Sequence, residues 1–329
     1  MTSTMSSLGG KVLPPFRQVF RVPPRDSLHW FPGHMHKGLR QMQQKLKSVD
    51  IIIEVHDARI PLSGRYDQFK HTISGIKPHI FVLNKKDLTD LSKARYFEER
   101  LKSEGINNVI WTNFKDQQCK GMHSILPTTL KLIEESKRYN RATQEDYAAM
   151  VIGVPNVGKS SLINRLRNKH LRKANATAVG GIAGITRSVL TKIKVSEKPA
   201  VYVLDTPGIL APYIKNAISG LKLALVGCLQ DHLVGPQVIA DYLLFWLNKN
   251  GRFEYVEKLG LRAPTDDILE VLTISAVKMG RSKRIKSLEG QWITRPDFNY
   301  AAEHFLRLFR TGELGGVCLD TDTSEVVGE

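Results

Sequence analysis

The sequence predicts an α/β protein, a mainly parallel sheet flanked by helices, with a smaller all-helical C-terminal domain. Three observations predict it. Short apolar runs alternate with stretches of helical spacing through the first two thirds of the chain, the pattern of strand–helix–strand units in a parallel sheet. Gly153-Val154-Pro155-Asn156-Val157-Gly158-Lys159-Ser160 matches the phosphate-binding loop G-x-x-x-x-G-K-[ST] in full. The guanine-reading signature Asn84-Lys85-Lys86-Asp87 stands upstream of that loop, and Asp205-Thr206-Pro207-Gly208 stands downstream. In ordinary small GTPases the guanine signature comes last. A base-reading motif placed before the phosphate loop defines a circularly permuted P-loop GTPase domain.

The elements follow in order. After Trp30-Phe31-Pro32-Gly33-His34-Met35, the spacing predicts a helix from Lys37 to Lys47. Asp50 to Val55 is a short apolar run, read as a buried parallel strand. His79 to Leu83 is the next strand and ends in the guanine signature. A helix is expected over Leu91–Ser103, a strand over Asn108–Thr112 and a helix over Met122–Arg138. Ala148 to Val154 feeds the phosphate loop, and Lys159 to Lys169 is the helix behind it. Ser188–Val195 and Ala200–Leu204 read as an adjacent strand pair. From about Ala217 the texture turns helical, over Ile218–Gly227, Val238–Leu247, Thr265–Lys278 and Tyr300–Arg310. The expected organisation is a basic presequence-like tail at 1–27, the permuted domain at 28–215, the helical domain at 216–315 and an acidic disordered tail at 316–329.

Composition narrows the function class. The 329 residues carry 48 Lys plus Arg against 32 Asp plus Glu, a net charge of +16, which favours a polyanionic partner, nucleic acid or an anionic membrane surface. Hydrophobic residues make up 42%, enough to exclude wholesale disorder. Cys119, Cys228 and Cys318 form no C-x-x-C pair, which points to a reducing compartment without structural zinc. No run reaches the roughly 18 apolar residues of a spanning helix. The first 25 residues hold Lys11, Arg17, Arg21, Arg25 and no acid, the composition of a mitochondrial presequence. Pro14, Pro15, Pro23 and Pro24 interrupt an amphipathic helix there, so a plain basic tail stays open.

The motifs assign the nucleotide site. Glycine lets the phosphate loop approach the phosphates, and its N–H groups with the next helix's N-terminus face their charge. Lys159 is expected on the β- and γ-phosphates and Ser160 on Mg²⁺. Asp87 accepts from the ring N–H and exocyclic amine of guanine, a pair adenine lacks. Lys85 lies over the base, and Asn84 ties this loop to the phosphate side. Thr112 and Asn113 end the next strand and either back the base through the main chain or form an ordinary strand end. The full GTP set is Asn84, Lys85, Lys86, Asp87, Thr112, Asn113, Asn156, Val157, Gly158, Lys159, Ser160, Ser161 and Gly208. Asp205 reaches Mg²⁺ through water, the Gly208 amide senses the γ-phosphate, and Thr186 in a Gly-rich stretch supplies a Mg²⁺ ligand from the first switch loop. Lys159, Thr186 and Gly208 are the expected catalytic contacts. Ile209 stands where a Ras-like chain places the water-orienting glutamine, so unassisted hydrolysis is expected to be slow.

Two basic clusters are candidate RNA contacts. Arg165, Arg167, Lys169, Arg172 and Lys173 run from the phosphate-loop helix toward the switch, and Lys278, Arg281, Lys283, Arg284 and Lys286 follow a predicted helix. A solvated helix face stays open for both.

The permuted order, the stretch Trp30–Met35 and the stretch Asp57-Ala58-Arg59-Ile60-Pro61-Leu62-Ser63-Gly64-Arg65 resemble the YlqF/RbgA-type circularly permuted GTPases over residues 28 to 315. The resemblance implies assembly of the large ribosomal subunit, here the mitochondrial one (rRNA and ribosomal proteins), and translation regulation. It also implies a location in the mitochondrial matrix, peripheral on the inner membrane; a monomer is expected. It implies His34 as a catalytic helper and Asn156 as a residue linked to K⁺ activation. Asp57–Arg65 reads as bracing for the sheet. A nucleotide-gated placeholder with negligible hydrolysis, and a membrane-surface signalling GTPase, remain as alternatives.

Overall fold

The computed structural model describes residues 7–8, 11–12, 16–22, 44–65, 77–138, 141–171, 192–205, 214, 216–286 and 290–321. His34, Thr186, Gly208, Ile209, Arg172 and Lys173 lie outside the described residues, as does most of the predicted helix Lys37–Lys47, of which 44–46 are helical. The chain forms two compact units, one of residues 31–230 and 316–324, the other of residues 1–30, 231–315 and 325–329.

The first unit is built on a six-stranded sheet. Its strands are β1 (Ile51–Asp57), β2 (His79–Asn84), β3 (Val109–Trp111), β4 (Tyr147–Ile152), β5 (Lys192–Glu197) and β6 (Ala200–Asp205), in the order β3-β2-β1-β4-β6-β5. All neighbours run parallel except β5 and β6, the hairpin expected from the short connection. β1 is central: Ile53 pairs with Ile80 on one side and Val151 on the other. A central parallel strand is covered on both faces, hence the buried apolar Ile51, Ile52, Ile53 and Val55. Helices α1 (Ala94–Ser103), α2 (Lys120–Glu134) and α3 (Lys159–Leu171) turn Phe97, Leu101, Ile125, Ile133, Leu162 and Leu166 into the core. The strand order reverses between β1 and β4, so a crevice opens at the carboxyl ends of these strands, where α/β sheets take their ligands.

One charged group interrupts β1. Buried Glu54 contacts His56 at 2.6 Å and His79 at 3.0 Å. Burial alone raises its pKa; the two histidines outweigh burial and hold it well below its ordinary 4.5. A carboxylate whose folded pKa is depressed stabilises fully above its unfolded pKa and loses that stabilisation as pH falls. The melting temperature is therefore expected to drop between about pH 5 and 3, with a shallower drop in Glu54→Gln; calorimetry at stepped pH checks it.

Helix α4 (Ala217–Leu225) belongs to the first unit, with Leu221, Leu223 and Leu225 fully buried, so the divide falls after Gln230 rather than near residue 215. The shift from strand to helical texture marked a change of element, not of core. The C-terminal segment also departs from expectation. Val317, Cys318, Leu319 and Asp320 are buried in the first unit, so 316–321 are packed and not a disordered tail. Apolar Val317 and Leu319 outweigh the acidic composition that follows them.

The second unit holds α5 (Asp231–Val234), α6 (Pro236–Lys249), α7 (Glu254–Leu259), α8 (Ile268–Lys278) and α9 (Phe298–Thr311) around buried Tyr242, Phe245, Tyr255, Phe305 and Phe309. Asp267 and Asp297 cap α8 and α9 through their side chains, and Gly312 at φ 87° ends α9. The all-helical expectation needs one addition, an antiparallel hairpin of β7 (Ser282–Lys286) and β8 (Trp292–Pro296). Lys and Arg conceal this strand in the sequence because both its faces are largely solvated. Residues 16–22 are also more than a basic tail: Phe20 packs edge-on to Tyr242 at 5.2 Å, and Arg17 pairs with Asp241 at 2.8 Å.

Candidate functional site

The phosphate loop leaves β4 through Gly153 at φ 145°, where a Cβ would come 2.2 Å from the Val55 carbonyl. Only glycine lets the loop start this close to β1. Asn156 adopts the left-handed region at φ 61°, which asparagine tolerates, and its side-chain amide donates to the Gly227 carbonyl at 2.7 Å. Lys159 donates to the carbonyls of Gly153 and Val154 at 2.8 and 2.9 Å, so its ammonium arches back over the loop. Ser160 and Ser161 follow it in the first turn of α3. Val157 is buried beneath the loop.

The guanine loop sits beside it. Buried Asn84 joins the two directly: its side-chain amide donates to the Val157 carbonyl at 2.7 Å, and its carbonyl accepts from the Phe114 amide at 3.0 Å. These bonds join the Asn84-Lys85-Lys86-Asp87 turn to the Gly153–Ser160 loop. Gly158, at φ 110°, allows the approach; a Cβ there would lie 2.4 Å from Asn84 Nδ2 and 3.1 Å from the Phe114 ring. Beyond Asn84 the chain turns through Lys85 at φ 63° into a short helical turn, Lys86–Leu88, which leaves Asp87 exposed at the crevice. The Thr112 carbonyl accepts from the Lys86 amide at 3.0 Å and so holds this turn to the end of β3. Asn113 points its side-chain carbonyl at the Lys115 amide, 2.9 Å away, and its own amide donates to Cys119 Sγ at 3.3 Å.

Mg²⁺ calls for hard oxygen donors near the phosphates. Ser160 lies in the first turn of α3, and the pairing of Val151 with Asp205 brings the end of β6 level with the root of the phosphate loop. Few protein oxygens and a phosphate-bearing partner are the usual Mg²⁺ arrangement, and a serine hydroxyl such as that of Ser160 is of the right chemistry for it.

Sequence reasoning missed several contributors. Asp57, read as bracing, ends β1 and meets Lys85 Nζ at 2.8 Å. Gly227 was not assigned to the site at all; only the fold brings the turn after α4 to Asn156. The C-terminal segment also reaches the base loop: the Val317 amide donates to the Leu88 carbonyl at 3.1 Å, Thr89 Oγ1 donates to the Val317 carbonyl at 3.1 Å, and Asp320 accepts from the Leu62 and Ser63 amides at 2.7 and 2.8 Å. No motif encodes a contact between segments this far apart in the chain.

The basic clusters differ in kind. On α3, Arg165 reaches the Lys115 carbonyl at 3.3 Å, Lys169 contacts His123 at 2.7 Å, and Arg167 lies half-buried between them in sequence. Lys278 turns toward the carbonyls of Glu257 and Lys258 at 3.4 and 3.2 Å, where it caps the negative end of α7. Lys283, Arg284 and Lys286 stay exposed on β7, and Arg281 stacks on Tyr300 at 4.6 Å. Opposite them Trp292 is 63% exposed, with the Arg284 guanidinium 5.9 Å from its ring.

A permuted sheet that brings a guanine-reading turn against a phosphate loop defines a circularly permuted GTPase, a GTP-hydrolysing enzyme. Residues 148–263 match the family model described as 50S ribosome-binding GTPase. The chain is 56% identical over 309 residues to Mitochondrial GTPase 1 of Aedes aegypti, covering 93% of this chain and 98% of that protein. It is 50% identical over 317 residues to Mitochondrial ribosome-associated GTPase 1 of Mus musculus, covering 95% and 96%. The chain belongs to the mitochondrial GTPase 1 family. The crystal structure of GNP-bound YlqF from T. maritima shares the fold, with a TM-score of 0.53 at 24% identity over 85% of this chain and 95% of that one.

Proposed function

We propose that this chain is a mitochondrial GTPase that docks on the large subunit of the mitochondrial ribosome, contacts its rRNA and proteins, and acts in subunit assembly and translation regulation. The observation that carries the nucleotide half is the Asn84 bridge between guanine loop and phosphate loop. Asp87 reads guanine, Lys85 covers the base, and Lys86, Thr112 and Asn113 hold the turn. The amides of Val157 and Gly158, with Lys159, Ser160 and Ser161, take the phosphates. Ser160 and Asp205, with Thr186, would hold Mg²⁺, which when bound would supply positive charge against the developing phosphate charge. Gly208 senses the γ-phosphate. Ile209 cannot orient water, so docking, K⁺ near Asn156, or His34 completes the site. The ribosome half is supported by the net charge of +16, the exposed basic hairpin and the ribosome-binding and ribosome-associated names of the matching family and the mouse relative. The proposed setting is the matrix side of the inner membrane, with the protein peripheral and monomeric.

The β7–β8 hairpin offers both terms of RNA grip, cations for phosphate and an open indole for an unstacked base. In sedimentation with mitochondrial large subunits, the protein is expected to co-sediment with a non-hydrolysable GTP analogue, leave with GDP and leave at high salt. Replacing Lys283, Arg284 and Lys286 together by Ala should flatten the salt dependence by up to about three phosphate contacts. Binding to anionic vesicles but not to ribosomes would contradict the proposal. Hydrolysis measured with and without subunits, in K⁺ and in Na⁺, separates a GTPase from a placeholder.

A further inference from the structure

Asp57 has no role in phosphate binding or in reading the edge of guanine, yet it is the most completely enclosed charge beside the base loop. Its carboxylate is fully buried at the end of β1. One oxygen accepts from Lys85 Nζ and from Arg59 Nη2, each at 2.8 Å; the other accepts from Arg59 Nε at 2.9 Å and the Arg59 amide at 3.1 Å. Arg59 is itself only 1% exposed. Burial alone raises the Asp57 pKa; Arg59 and Lys85 outweigh burial and keep it ionised well below the usual carboxylate range. The backbone is set to match. Lys85 takes the left-handed conformation at φ 63°, which a side chain of this kind rarely adopts, and the Ala58 amide donates to the Asn84 carbonyl at 2.8 Å, locking the two strand ends together.

We propose that Asp57 is a positioning residue for nucleotide binding. It anchors the Lys85 ammonium so that the four-carbon stem lies fixed across the purine face, while Arg59 fixes the carboxylate. The proposal rests on the reading of this crevice as a guanine-nucleotide site. A tethered lysine stem gives the base a flat apolar platform without rotamer freedom left to lose on binding. Because the platform touches the face of the base and not its edge, Asp57 governs affinity and leaves guanine selection to Asp87.

The test is a double-mutant cycle in GDP affinity on the full chain, with Asp57→Asn and Lys85→Met. Each single change is expected to weaken GDP binding by about tenfold or more, and the double by no more than the larger single. The ratio of GDP to IDP affinity should stay at its wild-type value in Asp57→Asn. Multiplicative losses in the double, or a changed GDP-to-IDP ratio in Asp57→Asn, overturn the proposal, since a merely structural loss would add to that of Lys85. If Asp57→Asn does not fold, Lys85→Arg decides the matter. Arginine keeps the ion pair, so it should hold GDP within about threefold of wild type while Lys85→Met does not; equal losses overturn the proposal. Absence of GDP binding in the wild-type chain would remove the nucleotide reading itself, a distinct outcome.

Discussion

Asp87→Ala is expected to erase the preference for guanine over adenine nucleotides. The carboxylate stands exposed at the crevice, on a turn fixed by the Lys86 amide to Thr112 and by the Leu88 amide to the Lys85 carbonyl at 2.9 Å. Guanine offers it two donors. Adenine offers none in that position, so binding adenine would strip water from a charge and return nothing. A buried group left without its partner costs a few kcal/mol, which corresponds to roughly a hundredfold or more in relative affinity. Competition of GTP and ATP against a fluorescent guanine nucleotide measures it. In the variant GTP affinity should fall and ATP affinity should rise as the unpaired carboxylate is removed, so that the ratio between them closes by at least that factor.

Asn84→Ala is expected to damage folding and binding together. The side chain makes two hydrogen bonds inside the protein, one to each of the loops that meet at the nucleotide. Alanine removes both and leaves the Val157 carbonyl and the Phe114 amide without those bonds in a place where Asn84 is 4% exposed. At about 1–3 kcal/mol for each abandoned group, unfolding free energy should drop by roughly 2–6 kcal/mol. Nucleotide affinity should fall at the same time, because the phosphate loop loses its register with the base loop. Denaturant titration of the apo protein, compared with GDP titration of the same variant, separates the two effects. A variant that loses stability yet binds GDP as wild type does would show that Asn84 holds the fold and not the site.

The sheet was legible because its strands are short, apolar and placed before recognisable turns. β1, β2 and β4 fall within a residue or two of their expected ranges, since a strand covered on both faces is built mostly from apolar residues. The phosphate loop and guanine turn were legible because each is local: every residue that defines them lies within one octapeptide or one tetrapeptide. What stayed hidden depends on distance along the chain. Asp57 with Lys85, Asn156 with Gly227, and Asp320 with Leu62 and Ser63 are pairs that only tertiary folding creates. The β7–β8 hairpin escaped for another reason. Its alternating Lys, Arg, Ile, Trp and Thr bury only Ile285 and Ile293 in part, too little apolar signal to outweigh the helical pattern around it. The acidic end misled in the opposite direction, because composition averages over Val317 and Leu319, the two residues that pack.

Everything rests on a guanine turn and a phosphate loop, reversed in chain order, forming one pocket. Calorimetric titration of the full-length protein with GDP and then ADP in Mg²⁺ tests this most directly. One GDP per chain, with ADP weaker by about two orders of magnitude or undetected, is the result expected from Asp87 and the Asn84 bridge. Equal affinity for the two nucleotides would contradict it.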